Sequence, residues 1–241
     1  MSENYIPVQL PSKCKVYKDV DSSQVAIRVL KGKDEKLIAE MTYDNLDSKF
    51  NAILKNVLKG VAPEKLTLGD RKFVLVWLAI NSYGKTFPIE LTCEHCLRKI
   101  MNEVDLSSFE VNELPEDYEQ PYKVTLSDGK EIYLRLLTVE DEIKVVAYEK
   151  TGANGWLFRY ALSVVDQQLS ENQKVMMLED MDVNDVAMVR AFHEEFDHGP
   201  VMEAPYKCPK CGGAGRVAVP FRIEMVFPYG PALKKHFRKT V

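Results

Sequence analysis

The two stretches Thr92-Cys-Glu-His-Cys-Leu97 and Lys207-Cys-Pro-Lys-Cys-Gly212 decide the expected fold. Each holds a C-x-x-C motif between short strand-like segments, a unit called a knuckle below. Two residues between cysteines let both thiolates reach one metal ion at an S–Zn distance of about 2.3 Å, and tetrahedral zinc takes four such ligands. The predicted ligands of one structural zinc ion are Cys93, Cys96, Cys208 and Cys211.

The two knuckles are far apart in the chain, with 208 − 96 − 1 = 111 residues between Cys96 and Cys208. A shared zinc ion therefore predicts that the intervening segment is an insertion whose ends return to the same place. The binding energy of the metal would then contribute to folding. Four sulfur ligands also close the coordination shell and leave no position for a substrate. The pattern consequently favours a structural metal rather than a catalytic one.

Other interpretations of the knuckles stay open at the level of sequence. The cysteines could form redox pairs or remain unpaired buried thiols. His95 could in principle replace a ligand, but the sequence favours a solvated residue inside the knuckle. Cys208–Gly215 fits the C-x-x-C-x-G-x-G repeat of J-domain co-chaperones, but those proteins carry several copies and this chain has one. Leu97 follows the first knuckle where glycine is usual.

The remaining sequence predicts an α+β protein with a zinc-ribbon-like β part, a β-hairpin and a mostly helical insertion. Apolar residues at helical spacing predict helices over 44–59 and from Thr67 to Gly84. Alternation on both sides of Asp128-Gly129 predicts a hairpin. The predicted segments are an N-terminal arm with one strand (1–40), a helical segment (41–84), a discontinuous zinc-ribbon part (85–109 and 200–228), a hairpin plus helical insertion (121–199) and a basic tail (229–241).

Composition narrows the class of protein. The 241 residues include 32 Lys and Arg against 36 Asp and Glu, a net charge of −4, which argues against bulk attraction to nucleic acid or to an anionic membrane. The longest strongly apolar run, Phe73–Ile80, is too short to span a bilayer. The N-terminus has no secretory pattern. We therefore expect a soluble protein in a cytoplasm, where thiols stay reduced and paired cysteines favour metal binding.

Three further features are candidates for function. Cys14 lies between Lys13 and Lys15, which would lower the pKa of its thiol, but no base accompanies it. His193 and His198 suggest a second metal site or simply a charged helix end. The basic tail, Lys234–Lys239, suggests an arm that docks on an acidic surface or a solvated terminus. The sequence contains none of the common local enzyme motifs, and we predict no enzymatic activity.

The order of these elements resembles the T4-type bacteriophage baseplate hub and hub-assembly proteins. The resemblance starts at the helix end Ser82-Tyr-Gly84, runs through Phe87–Cys96 and Val104-Asp-Leu106, and continues into the hairpin region Val124–Glu142. It implies a structural or chaperone-like assembly role in the hub of a contractile tail, with other hub proteins as partners. The implied location is the host cytoplasm during assembly or the virion baseplate. The resemblance supplies no catalytic residues, and only the four cysteines carry over.

The main alternative is a nucleic-acid-binding zinc ribbon, because basic residues surround the knuckles and could contact phosphates. These residues are Arg98, Lys99, Lys207, Lys210 and Arg216. Net acidity and the absence of interleaved aromatic residues argue against this reading. An enzyme with an unrecognised site is a third alternative that no motif supports.

Overall fold

The computed structural model describes residues 4–41 and 45–220, and the structural statements below concern these residues. The predicted basic tail lies outside them. The helices of this part are α1 (Gly32–Ala39), α2 (Leu46–Val57), α3 (Leu68–Tyr83), α4 (Val139–Glu149), α5 (Gly155–Ser163), α6 (Glu171–Glu179) and α7 (Val183–Glu195). The strands are β1 (Ile6–Pro7), β2 (Ala26–Ile27), β3 (Leu58–Lys59), β4 (Thr86–Thr92), β5 (Lys99–Asp105), β6 (Val111–Asn112), β7 (Tyr122–Thr125), β8 (Glu131–Leu134), β9 (Gly199–Pro200), β10 (Glu203–Lys207) and β11 (Ala214–Ala218).

The strands form small antiparallel sheets rather than one large sheet. β1, β2 and β3 make a three-stranded sheet, while β4–β5, β6–β9, β7–β8 and β10–β11 are two-stranded. The helices lie before, between and after these pairs along the chain. The expectation of an α+β fold is confirmed at this level.

Helix α3 forms where local sequence signals are strong. In α3 the side chain of Thr67 accepts the backbone N–H of Asp70, which caps the N-terminus. Gly84 ends the helix in a conformation with a φ of 111° that disfavours other residues. Val74 and Leu78 are buried on the face that packs on α2 and the N-terminal residues. This helix thereby joins the N-terminal part of the molecule to the first knuckle, which follows it.

A strand–arginine–helix unit occurs twice in the chain. Arg28 follows β2, and its guanidinium donates two hydrogen bonds of 2.7 and 3.1 Å to Asp34 in the first turn of α1. Arg135 follows β8 and makes the same contacts, at 2.7 and 2.8 Å, with Asp141 in the first turn of α4. In both copies the arginine also donates to the carbonyl of the next residue. A bidentate guanidinium–carboxylate pair fixes the angle between strand and helix.

The match extends to the second helix of each unit. The N–H of Arg28 donates to the carbonyl of Val57 at the end of α2, at 3.0 Å. The N–H of Arg135 donates to the carbonyl of Ser163 at the end of α5, at 2.9 Å. Each unit therefore runs from a strand through two helices and back to the same strand. One helix (α3) and a knuckle hairpin follow the first unit, and two helices (α6 and α7) and a knuckle hairpin follow the second.

The prediction that residues 1–40 form an arm with one strand is wrong, because Gly32–Ala39 form a helix, α1. The strand expected in this arm is short, β2 (Ala26–Ile27), because the chain turns at Arg28 toward the helix. Leu10, Ile27 and Ile38 are almost completely buried and belong to the same core as α2 and α3. The N-terminal residues are therefore part of the packed body.

The segment that leads into the second knuckle hairpin makes a close backbone contact with the start of α3. A Cβ atom on Gly69, in the first turn of α3, would lie 2.2 Å from the carbonyl oxygen of His198. The hydroxyl of Thr67 lies 2.6 Å from the Nε2 atom of His198. β9 follows at once and pairs with β6, Val111 opposite Pro200. These contacts bring the start of the second knuckle hairpin beside the end of the first.

Candidate metal centre

Each knuckle lies at the tip of an antiparallel hairpin. β4 and β5 pair from Thr86 opposite Asp105 to Thr92 opposite Lys99, and Cys93–Arg98 form the turn. β10 and β11 pair up to Lys207 opposite Ala214, and Cys208–Gly213 form the turn. Antiparallel pairing brings the two ends of each turn together, so both cysteines of a motif point from one tip.

The two hairpins share one apolar core. Its members include residues of both hairpins and of α3, namely Val76, Ala79, Leu91, Ile100, Val104, Ala204 and Tyr206. The hydroxyl of Tyr206 in β10 accepts a hydrogen bond of 3.2 Å from the N–H of Glu94 in the first knuckle. Burial of this shared surface holds the two tips side by side.

The four predicted ligands converge. The Sγ atoms of Cys93 and Cys211 are 3.8 Å apart, as are those of Cys96 and Cys208. All four Sγ atoms lie within 4.8 Å of one another. An S–Zn distance of about 2.3 Å with tetrahedral angles places sulfur atoms roughly 3.8 Å apart. The donor set and its spacing therefore fit one tetrahedral ion that accepts thiolates.

The two turns have the same backbone geometry. In the first, the N–H of Cys93 donates to the carbonyl of Arg98, and the N–H of Leu97 donates to the carbonyl of Cys93, at 2.9 and 2.8 Å. In the second, Cys208 and Gly213 make the first of these bonds at 2.8 Å, and Gly212 and Cys208 make the second at 2.9 Å.

The residue after each second cysteine has a left-handed backbone. The φ angle is 57° at Leu97 and 77° at Gly212. Glycine adopts this conformation without strain, whereas a leucine does not. The usual glycine preference therefore has a geometric cause, and Leu97 occupies the position with strain. Its side chain is 77% exposed, so no burial compensates for that strain.

Backbone N–H groups point at the sulfur atoms. Lys210 N–H donates to the Sγ of Cys208 and Gly213 N–H to the Sγ of Cys211, both at 3.4 Å. Burial raises the pKa of Cys208, but the N–H groups of Lys210 and Cys211 outweigh it and lower that pKa to about 6. The pKa of Cys93 is lowered as well. At Cys211 the Gly213 N–H lowers the pKa, but burial and the neighbouring thiols outweigh it and raise that pKa to about 12. Thiolate, the form that binds metal, is thus stabilised at two of the four sulfurs.

His95 lies inside the first knuckle but outside the sulfur cluster. Its Nε2 atom is 3.0 Å from the carbonyl oxygen of Ala214, and its ring covers Gly213, where a Cβ would lie 2.4 Å from the imidazole Cδ2. Gly213 is needed for this contact between the two turns. The metal-ligand reading of His95 has no geometric support, because the cysteine group contains no histidine.

The other sequence candidates do not form a second site within the described residues. The four cysteines are the one group of three or more potential ligands found there. His198 is buried against Thr67 and Phe196, whereas the ring of His193 packs on the rings of Tyr160 and Phe192. The two histidines thus have separate, structural surroundings.

Cys14 is a packed thiol rather than a reactive one. It is buried in the same core as α2 and α3, and burial together with the charge of Asp70 raises its pKa to about 11. The expected effect of the flanking lysines is wrong, because Lys13 and Lys15 pair with Glu116 instead. The sequence could not show that both lysines form ion pairs with this glutamate, because it lies on a loop that is distant in sequence.

The basic residues around the knuckles are partly neutralised. Lys99 forms an ion pair of 3.0 Å with Glu90, and Arg216 one of 3.2 Å with Glu203. These pairs join neighbouring strands of the hairpins. They reduce the positive charge that a nucleic-acid phosphate would meet, so this surface does not favour the nucleic-acid reading.

Fold and site together define a small α+β protein in which two β-hairpin tips present a closed group of four thiols. Comparison with known families adds the identity. Residues 4–228 match the family described as T4 bacteriophage base plate protein, and the chain belongs to that family. The protein is therefore a bacteriophage baseplate protein, which supports a structural or assembly role, contacts with other phage proteins and a place in the tail baseplate.

Two further comparisons found no relative from which a more specific function could be transferred. No curated protein and no solved structure gives a significant match to the chain. None of the helices in the described ranges is long and apolar enough to cross a membrane.

Proposed function

We propose that this protein acts in the central hub of the tail baseplate, through protein–protein contacts, as a hub component or as a factor that assembles the hub. One structural zinc ion, bound by the four knuckle cysteines, cross-links the tips of its two hairpins, which the shared apolar core already places side by side. Family membership supports the baseplate role. The observation that carries the zinc assignment is the convergence of four sulfurs from segments more than 100 residues apart.

The proposed zinc ion would turn the two hairpins into one zinc-ribbon-like unit. This unit would comprise residues 85–109 and 200–228 as far as they are described, and residues 121–199 would be the insertion between its halves. A closed sulfur shell leaves the ion no substrate position, so its contribution would be to fix the two tips as one rigid surface. The exposed side chains at these tips then become candidate contacts for hub proteins.

The zinc assignment is tested by metal analysis of protein purified without added metal. We expect one zinc ion per chain, and its loss in Cys96→Ser and Cys208→Ser. Cys14→Ser is the matched control. Cys14 is a buried thiol that is distant from the four cysteines in sequence and belongs to a different hydrophobic core. Zinc-free wild-type protein, or equal zinc content in all variants, would refute the assignment.

The hub assignment is tested separately in infected cells. A tagged copy is purified during tail assembly, and the bound phage proteins are identified by mass. Components of the baseplate hub are the expected partners. Recovery with proteins of the outer baseplate alone would count against a hub role, and recovery with nucleic acid in a salt-sensitive form would favour the alternative function.

A further inference from the structure

An apolar groove opens between α5, α6 and α7, away from the metal centre. Its volume is about 320 Å³, and its apolar lining includes Trp156, Leu178, Met181 and Val183. Trp156 is 46% exposed and Val183 is 84% exposed. Tryptophan and methionine at an open groove are typical of protein–protein contact sites. The groove therefore has the character of a binding surface for a peptide segment.

The surroundings of the groove are strongly acidic. Residues 166–197 contain nine Asp and Glu but only two Lys and Arg. The groove is lined by one base, Arg190, which forms an ion pair of 3.6 Å with Glu194. Three acids outnumber it at the α6–α7 end, namely Glu179, which lines the groove, and Asp180 and Asp182 in the turn that follows. All three are exposed, and none has an ion-pair partner within the described part of the chain. Their charges favour an occupant that is basic as well as apolar.

The sequence contains one segment with the complementary composition. Residues 221–241, which lie outside the described part, carry five Lys and Arg and a single acid, Glu224. Four of these basic residues fall within 229–241, beyond the region that matches the family model. The same segment contains Phe227, Tyr229 and Phe237. Two of these rings precede Lys234 and Lys235 and the third follows them, so apolar and basic groups lie within one short stretch of sequence.

We propose that the C-terminal segment, residues 221–241, binds in this groove of its own molecule. Trp156 and Val183 offer the apolar surface for this binding, and the acids at the α6–α7 turn offer the charges. Length allows this, since 21 residues extend up to roughly 70 Å whereas a compact chain of this size is roughly 45 Å across. The proposal does not depend on the metal or on the hub assignment.

Zero-length carbodiimide cross-linking tests the proposal, because it joins lysine only to a carboxylate in direct contact. A dilute mixture of ¹⁵N-labelled and unlabelled full-length protein is treated and analysed by mass spectrometry. We expect Lys234, Lys235 or Lys239 linked to Glu179, Asp180 or Asp182, in peptide pairs of a single isotope. Mixed-isotope pairs alone would overturn binding within one molecule, and links spread over acids elsewhere would overturn the groove as the site.

A matched pair of variants separates binding from folding. Val183→Lys places a charge in the groove at an exposed position and should lower the yield of these cross-links at least five-fold. Met101→Lys makes the same change at an exposed position of β5, where the side chain is 61% exposed, and should leave the yield unchanged. Equal yields in the two variants would overturn the proposal.

Hydrogen exchange gives a second and independent measurement. Reversal of the tail charges in K234E/K235E/R238E/K239E should speed exchange of the amides of α6 and α7 several-fold while leaving α3 unchanged. Unchanged exchange throughout α6 and α7 would overturn the proposal, even if isolated cross-links were found.

Discussion

Arg28 and Asp34 form a bidentate pair in which both side chains are almost fully excluded from solvent, with 1% and 0% of their side-chain surface exposed. Burial raises the pKa of Asp34, but the hydrogen bonds from Arg28 and Lys31 N–H outweigh it and lower the net pKa. The matched pair Arg135 and Asp141 has the same geometry, but the arginine is 32% exposed. The two units therefore contain the same type of ion pair, but the arginine is more deeply buried in the first unit.

Arg28→Met should consequently be more damaging than Arg135→Met. The first leaves a buried carboxylate without its cation, which typically costs about 3–5 kcal/mol of unfolding free energy. In the second, Asp141 is buried too, but water reaches the place of the 32% exposed arginine. Asp141 also keeps two hydrogen bonds from Thr138, whereas Asp34 keeps one from Lys31 N–H, so about 2 kcal/mol is expected. Urea denaturation of both variants measures the difference. An equal loss would show that depth does not govern the strength of the pair.

Relief of the backbone strain at Leu97 in the first knuckle predicts a gain of stability rather than a loss. Leu97→Gly should stabilise the protein by about 0.5–1 kcal/mol, because it relieves a left-handed backbone that costs an L-residue about 1–2 kcal/mol. Gly212→Ala in the second knuckle should destabilise by about 1 kcal/mol, although a Cβ there meets no atom within 4 Å. Denaturation of the zinc-loaded variants tests the pair, and a loss of stability in Leu97→Gly would contradict the strain.

The elements that were predictable have local causes. The cap at Thr67, the glycine at the end of α3, the Asp128-Gly129 turn and the two C-x-x-C spacings are all read within a few residues of chain. The four cysteines were found because metal chemistry demands four donors, and so two distant motifs could be joined without knowing the path between them. Zinc itself and the division into segments remain predictions.

The elements that were missed depend on distant partners. α1 has eight residues, few of them apolar, and lacks a Ser, Thr, Asp or Asn before its first turn. Its first turn is instead held by Arg28, which the helix pattern does not include. The pairing of β6 with β9 and the contact of Gly69 with His198 are equally invisible, because each joins segments about 90 or more residues apart without a side-chain motif.

The close approach of Gly69 to His198 predicts that an added Cβ atom destabilises the protein. Gly32 is the control position for the same substitution. Gly69→Ala would place a Cβ 2.2 Å from the carbonyl oxygen of His198, so the backbone must move, and about 2 kcal/mol of stability should be lost. Gly32→Ala, in the first turn of α1, meets nothing within 4 Å and should gain about 0.5–1 kcal/mol. Thermal denaturation of both variants checks this, and a neutral Gly69→Ala would show that the α3–β9 contact is loose.

Metal removal should have a more local effect than the sequence suggests. A metal ion shared by two distant knuckles predicts that its binding energy contributes to the folding of the whole chain. The structure adds the β6–β9 pairing and the shared apolar core of the hairpins, which hold the two tips together without a metal. After chelation, amide exchange should therefore rise first at 93–98 and 208–213, with the melting temperature lowered and restored by added zinc. Simultaneous loss of protection in α4–α7 would show that the metal holds the whole fold.

Buried His193 predicts a loss of stability in mild acid. Burial, assisted by the charges of Arg135 and Arg159, lowers the pKa of its imidazole to about 4. The unfolded chain binds a proton below a pH of about 6.5, whereas the folded protein does not until about 4. The free energy of unfolding should therefore fall as the pH drops through this window, by up to about 3 kcal/mol.

His193→Phe isolates this contribution. Phenylalanine preserves the ring contacts with Tyr160 and Phe192, and the Nε2 atom that it removes has no hydrogen-bond partner in the described part of the chain. The variant should match or exceed the wild type at pH 5 and lose less stability between pH 6.5 and pH 4. Release of the proposed zinc ion in acid would affect both proteins alike, so the difference between their curves reports the histidine. Parallel curves would mean that His193 takes up its proton in the folded protein as readily as in the unfolded chain.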